Sequence, residues 1–177
     1  MLIIDLYGAP GAGKSTTSAC LFSILKDRGE KVSLISESAT DLIESGQDYM
    51  LKDPEYQSYV ISLQFKKIKD QQRLGTEYLI TDSPILYQLS FVENTHVHEP
   101  LKNLFTPLMS QYETFNVLIL RNKVYSNYKR ITSDKESRAI QQKLLSEREY
   151  QVSIQGRVAE VPKIVSALDK FIFDKDL

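Results

Sequence analysis

Short apolar runs alternate along this chain with longer stretches of helical periodicity. That rhythm predicts repeated strand–helix units, hence a parallel sheet covered by helices on both faces. Leu2-Ile3-Ile4-Asp5-Leu6-Tyr7 predicts a first strand, and Lys31 to Ile35 a second. Between the second strand and the preceding helical pattern stands Arg28-Gly29-Glu30, where Gly29 suits a left-handed helix end. Tyr78-Leu79-Ile80-Thr81, entered through Gly75, predicts a third strand. Phe115 to Leu120 is nearly all apolar, as expected of a strand in mid-sheet, and Val152-Ser153-Ile154, ended by Gly156, is a fainter fifth.

The intervening segments read as helices. Gly13 to Asp27 forms the first, with Ala19, Phe22, Ile24 and Leu25 available to face the sheet. Pro54 suits the first turn of a long helix to about Leu74, in which Ile61, Phe65 and Ile68 recur at helical spacing. Pro84 to Val92 and Leu101 to Tyr112 are shorter candidates. Val124 to Glu149 is helical in pattern and dense in charge, with a break near Thr132-Ser133-Asp134, and Val161 to Phe173 closes the chain. No repeat, low-complexity tract or linker intervenes, so residues 1–177 read as a single domain.

Composition narrows the class. A chain of 177 residues that is 42% hydrophobic and 25% charged resembles an ordinary globular domain. Its 22 basic and 23 acidic side chains leave a formal charge of −1, which excludes a polybasic module held to nucleic acid by charge alone. The lone Cys20 cannot form an internal disulfide and fits a reducing compartment. The first apolar run is too short for a signal peptide and carries Asp5, and no run is long enough to span a bilayer. The expectation is a cytoplasmic protein with no membrane partner, as a monomer or homodimer.

The chemistry concentrates at one motif. Gly8-Ala9-Pro10-Gly11-Ala12-Gly13-Lys14-Ser15 matches the phosphate-loop pattern at every fixed position, and it lies between a predicted strand and a predicted helix. The glycines let successive N–H groups turn around a phosphate, and the helix N-terminus adds its partial positive charge. Lys14 can bridge β- and γ-phosphates, Ser15 can hold Mg²⁺, and Thr16 continues the cradle. Nucleoside triphosphate binding follows, with ATP and Mg²⁺ as the expected cofactors. Asn122-Lys123 is followed by Val124 and Tyr125, so the aspartate of a guanine-reading motif is missing. The chain is also too short for the helical lid domain of a large hexameric ATPase, which leaves a compact phosphotransferase.

Two acids follow predicted strands. Asp82 ends the third and is assigned to the metal, with helix capping as the alternative. Glu37 follows the second and is assigned to the acceptor hydroxyl, with a solvated loop carboxylate as the alternative and Asp41 or Glu44 as substitutes. Which of Glu37 and Asp82 is the base stays open. Asp5, inside the first strand, reads as structural. A basic run after the fourth strand (Arg121, Lys123, Lys129, Arg130, Lys135, Arg138) suits a lid over about residues 121–142, and Arg130 and Arg138 are its candidate catalytic cations. Gln64, on the long helix, reads either as an ordinary exposed glutamine or as an amide that can read a base edge by two hydrogen bonds. His96 and His98 read as a surface loop rather than a metal site, and Cys20 as packing.

These blocks, with Glu37-Ser38-Ala39-Thr40-Asp41-Leu42-Ile43, Ile80-Thr81-Asp82-Ser83-Pro84 and Ser137-Arg138-Ala139-Ile140-Gln141, resemble the small P-loop kinases of nucleosides and nucleotides. In particular they resemble the nicotinamide-riboside-kinase-like ATP-binding proteins of bacteriophages. The resemblance runs over most of the chain in order. It implies a three-layer α/β sandwich with a five-stranded parallel sheet, an acceptor under the long helix, and an arginine lid in which Arg138 matches the lid arginine. It places the protein in the host cytoplasm if phage-encoded. Ser137 stands where the family commonly has glycine, and Asp82-Ser83 stands where many deoxynucleoside and thymidylate kinases have Asp-Arg.

The expected activity is therefore Mg²⁺-ATP-dependent phosphorylation of a nucleoside, nucleotide or related metabolite. Two other readings stay open. One is a kinase acting on a hydroxymethylated pyrimidine within DNA, met by Lys66, Lys67, Lys69 and Arg73. The other is a nucleotide-dependent switch with slow hydrolysis and no small-molecule acceptor.

Overall fold

A computed structural model describes residues 1–36, 38–51, 53–93, 95–122, 132–147 and 149–175. Five strands, β1 (Leu2–Tyr7), β2 (Val32–Ile35), β3 (Tyr78–Thr81), β4 (Glu113–Leu120) and β5 (Val152–Gln155), form one sheet in the order β2-β3-β1-β4-β5. Every pairing is parallel. The helices are α1 (Lys14–Asp27), α2 (Ser38–Glu44), α3 (Pro54–Arg73), α4 (Ile85–Gln88), α5 (His98–Met109), α6 (Asp134–Glu147) and α7 (Val161–Phe173).

Alternation along the central strand builds the layers. Leu2, Ile4 and Leu6 join Leu21 and Leu25 of α1 and Ile164, Val165 and Leu168 of α7 in one buried cluster. Ile3 points the other way, with Leu79, into a second cluster that includes Ile61 and Ile68 of α3, Ile85 of α4 and Phe105 of α5. All six residues of β1 are buried, because the strand is paired on both edges and covered on both faces. The predicted three-layer α/β architecture is the one observed.

Local signals explain the boundaries. Asp53 caps α3 by accepting from the Glu55 amide, and Pro54 occupies its first turn. Gly29, at φ +85°, ends α1 with its N–H on the Lys26 carbonyl and the next N–H, of Glu30, on that of Leu25. Three segments differ from the pattern-based expectation. Ser38–Glu44 forms α2, which too short a periodic run had concealed. The Pro84 to Val92 segment divides into α4 and a 3₁₀ turn over Leu89–Phe91. The charged helical pattern from Val124 is observed as α6 from Asp134, and residues 123–131 lie outside the described residues. Among the described residues no helix is long and apolar enough to cross a membrane.

Phe115 on β4 is fully buried, its ring 5.2 Å from that of Phe171 on α7 in an edge-to-face arrangement. Phe115→Ala should lower the unfolding free energy by about 3–5 kcal/mol, through lost transfer energy and the cavity left behind. Chemical denaturation measures the loss.

Candidate active site

The carboxyl ends of β1, β3, β4 and β5 meet where the chain leaves β1. The segment Gly8 to Gly13 turns there within very little space. A Cβ at Gly8 would lie 2.9 Å from the Ile119 carbonyl oxygen of β4 and 3.1 Å from the Ala12 Cβ. Gly13, at φ +102°, leads into α1, and a Cβ there would lie 3.0 Å from the Gly156 carbonyl oxygen. A Cβ at Gly156 would overlap the Ala12 carbonyl oxygen. Gly156 follows β5, so the turn after the last strand holds the loop from one side as the end of β4 does from the other. Sequence reading treated Gly156 only as a strand terminator, because nothing local marks a contact across more than a hundred residues of chain.

The N-terminus of α1 presents its first amides without a side-chain cap, and its first turn carries no acid. Those amides and the helix dipole favour an anion at this point. Lys14 folds back over the loop, its Nζ donating to the Gly8 carbonyl at 2.8 Å. The Ser15 hydroxyl donates to Asp82 Oδ2 at 3.2 Å, joining the start of α1 to the end of β3. Asp82 is buried, at 7% exposure. It does not cap α4: Pro84 is the residue before that helix, and no side chain caps it. The capping alternative for Asp82 therefore fails.

Ser15 and Asp82 fit a Mg²⁺ ion, which prefers one or two protein oxygens and fills its remaining positions with phosphate and water. Among the described residues no three His, Cys, Asp or Glu side chains gather into a metal cluster. His96 faces Glu55 at 3.6 Å on the surface, whereas His98, expected in a surface loop, opens α5 with its side chain 18% exposed and faces Glu99 at 3.7 Å. Cys20 is half-buried against the α1 and α7 cluster, and Asp5 is buried within β1.

One side of the loop is closed by α6. Ser133 and Glu136 form a capping box: the Ser133 amide donates to Glu136 Oε2 at 2.6 Å and the Glu136 amide to Ser133 Oγ at 3.2 Å. Both bonds, from the Ser133 amide first and its hydroxyl next, hold the Glu136 carboxyl below the usual range. Ser137 is fully buried and donates from Oγ to the Pro10 carbonyl of the loop at 2.7 Å. Ile140 and Leu144 pack with Tyr7, Tyr87, Leu118 and Tyr150. The part of the expected lid that falls in α6 is thus packed onto the body of the domain.

Arg121, at the end of β4, is the cation brought beside this seam. Its side chain is 10% exposed, and NH1 lies 2.6 Å from Asp134 Oδ1 and 3.3 Å from Ser137 Oγ. Its backbone amide donates to Gln141 Oε1 at 2.8 Å. Arg138 sits on the outer side of α6, 71% exposed, with Nε on Asp134 Oδ2 at 3.1 Å. The hydrogen bond from Arg121 first, and then that from Arg138, hold the Asp134 carboxyl below its ordinary value against a partial opposing effect of desolvation. The sequence reading had counted Arg121 only as one of a basic run; its burial follows from its place at the end of a central strand. Arg130 lies outside the described residues, as does Glu37.

On the opposite flank of Asp82, Gln64 is fully buried and accepts from the Ser38 hydroxyl through Oε1 at 2.9 Å. Its Nε2 has no hydrogen-bond partner among the described residues. One end of the amide is thus already engaged, which alters the expected two-bond reading of a base edge. Gln88, which sequence reading passed over, donates from Nε2 to the Ser83 carbonyl at 3.1 Å and to its hydroxyl at 3.0 Å. Its Oε1 is buried without a partner among the described residues. Asp41 pairs with Lys67 at 2.7 Å, so it is not an idle substitute for Glu37. On the rest of the α3 face, Lys66 lies 2.6 Å and Arg73 3.8 Å from Asp70, and Lys69 bonds Gln72. Acidic partners thereby offset much of the charge that a DNA backbone would meet.

Gly156→Ala should displace the loop, lowering the unfolding free energy by more than about 1 kcal/mol, as overpacking of a filled site does. Affinity for inorganic tripolyphosphate should fall with it, as calorimetric titration would read.

No family model matches the chain. Over 90 residues it is 39% identical to a protein named "Putative adenylate kinase" from Methanococcus maripaludis (strain C7), a stretch covering 50% of this chain and 48% of that protein. The chain thus spans about half the length of the curated relative it matches. Among solved structures, that of the Mycobacterium tuberculosis APS kinase CysC in complex with AMPPNP and APS is similar over 94% of this chain and 96% of that one, with 10% identity and a TM-score of 0.48.

Proposed function

We propose that this chain is a Mg²⁺-ATP-dependent phosphotransferase whose acceptor is a nucleoside, a nucleotide or a metabolite built like one. The observation that carries the reading is the 3.2 Å hydrogen bond between Ser15, at the start of the phosphate loop's helix, and Asp82, at the end of β3. A phosphate loop alone speaks for nucleotide binding. A hydroxyl and a buried carboxylate meeting beside it supply what a nucleotide-bound divalent cation needs. The likeness over half its length to a protein named as an adenylate kinase supports the same class.

In this reading the amides of Gly8 to Thr16 and the N-terminus of α1 hold the β- and γ-phosphates. Lys14 exchanges the neutral Gly8 carbonyl for phosphate oxygens, a stronger partner for an ammonium. Ser15 and Asp82 would hold Mg²⁺, which supplies charge neutralisation on the transferring group. Arg121 adds a fixed positive charge, and Arg130 and Arg138 are the remaining cations assigned to the clamp. Because Asp82 is committed to Ser15, Glu37 is the carboxylate left to orient the acceptor hydroxyl and take its proton. The bond from that oxygen to the γ-phosphorus forms as the bridging bond to ADP breaks. Gln64 Nε2 and Gln88 Oε1, buried without partners, offer a donor and an acceptor to the acceptor's polar edge.

The test is ATP turnover with Mg²⁺ across nucleosides, nucleoside monophosphates, nicotinamide riboside and DNA with and without hydroxymethylpyrimidine. Stimulation by a nucleoside or nucleotide that ends up carrying the phosphate is the expected result; flat basal hydrolysis across the panel overturns the reading. Asp82→Asn should lower kcat by about a hundredfold or more, as loss of a preorganised charge does. Lys14→Ala should abolish turnover while leaving the denaturation midpoint near that of the wild type, since the Lys14 ammonium makes a single hydrogen bond, to the Gly8 carbonyl, among the described residues.

A further inference from the structure

We propose that Ser137 is a positioning residue for the phosphate loop, selecting the one orientation of the Pro10–Gly11 peptide in which the loop can receive phosphate. The inference rests on the phosphate-binding reading above and adds to it a residue outside the loop motif. In a trans peptide the C=O and the next N–H point in opposite directions, so fixing one fixes the other. The Pro10 carbonyl is held toward α6 by the Ser137 hydroxyl at 2.7 Å, which turns the Gly11 N–H to the opposite side, away from α6. Gly11 stands at φ +83° in a Pro-Gly turn closed by the Ala12 amide on the Ala9 carbonyl at 2.9 Å. That turn itself favours this orientation, but glycine adopts either sign of φ and leaves the peptide plane able to rotate. The bond from Ser137 adds an external hold to that local preference.

A hydroxyl carries a single proton, and its rotor is normally free. Here Arg121 NH1 approaches Ser137 Oγ at 3.3 Å and can only donate, so the hydroxyl proton is directed to Pro10. Arg121 is in turn held by Asp134 at 2.6 Å, and Asp134 is shared with Arg138. The result is a chain from a carboxylate through a guanidinium and a hydroxyl to a loop carbonyl, in which each bond polarises the next. Ser137 is fully buried at this seam. Glycine at this position would leave the Pro10 carbonyl unheld. Binding free energies are reciprocal, so an anion that favours the held orientation also tightens the attachment of α6 to the loop.

The test uses inorganic tripolyphosphate, which isolates the loop from any base or acceptor recognition. Ser137→Ala should weaken its binding by about three- to tenfold, the range expected when one hydrogen bond no longer selects the competent state. Arg121→Gln, which leaves the hydroxyl but frees its rotor, should weaken it in the same direction. In the wild type, tripolyphosphate should slow amide hydrogen exchange both in residues 8–16 and in residues 134–141. In Ser137→Ala the protection should be confined to the loop. A purely structural serine would lower the denaturation midpoint while leaving affinity within twofold and the exchange response of α6 intact, and that result overturns the proposal. Failure of the wild type to bind tripolyphosphate or ATP overturns the phosphate-binding reading and this inference together; normal binding by both variants overturns this inference alone.

Discussion

A backbone-to-backbone contact that leaves no room for a side chain governs the carboxyl edge of this sheet. The Ala12 carbonyl packs against Gly156, and the Gly8 Cα against the Ile119 carbonyl. Between them the phosphate loop is wedged against the ends of β4 and β5, so its path is decided by the two strands on that side rather than by the loop residues alone. From there the direction of α1 follows, and with it the place of Ser15 within reach of Asp82. Close packing of this kind transmits position, because a filled interior yields little before something else must move.

Around that wedge the charges are already engaged. Lys14 rests on a neutral carbonyl, while Arg121 and Arg138 share Asp134. These partners differ in what an arriving phosphate must overcome. A carbonyl is a weak rival to phosphate for an ammonium ion, so Lys14 is released readily. Asp134 is an anion with two guanidinium partners, and it keeps Arg121 at the seam between α6 and β4. The acceptor flank has a different character. There the polar groups are amides buried among apolar side chains, Gln64 beside Ile61 and Ile68 on α3, and Gln88 beside Ile85 on α4. Buried amide atoms left without a partner cost stability.

Much of the fold was legible in the pattern of residues. A strand buried on both faces is mostly apolar, and β1 (apart from Asp5) and the upper part of β4 are, so their central places in the sheet were visible. The phosphate loop was legible because its function demands particular backbone conformations, and those demand glycine at fixed spacing. Asp82 was legible as a residue at a strand end, though only the geometry showed that it meets Ser15 instead of capping α4. The helix α2 was not legible: at seven residues it is too short to show a period, and it is held by packing against α3. The division at Leu89 likewise depends on what the segment packs against, whereas the start of α6 at Asp134 is marked locally by the Ser133–Glu136 capping box.

What the residues determined by themselves was local: the strands, the cradle, the long helix with its Asp53 cap and Pro54 start, and the chemical types available for phosphate and metal. What only the tertiary structure decided was which of those types meet. Gly156 faces Ala12, Ser137 faces Pro10, and Arg121 rather than Arg138 lies beside the loop. Each of these contacts joins residues far apart in the chain. The physical reason is that backbone conformation obeys short-range sterics and periodic burial, both written in neighbouring residues. A contact between distant segments depends on the strand order and on how each layer fills, which no neighbouring residue encodes.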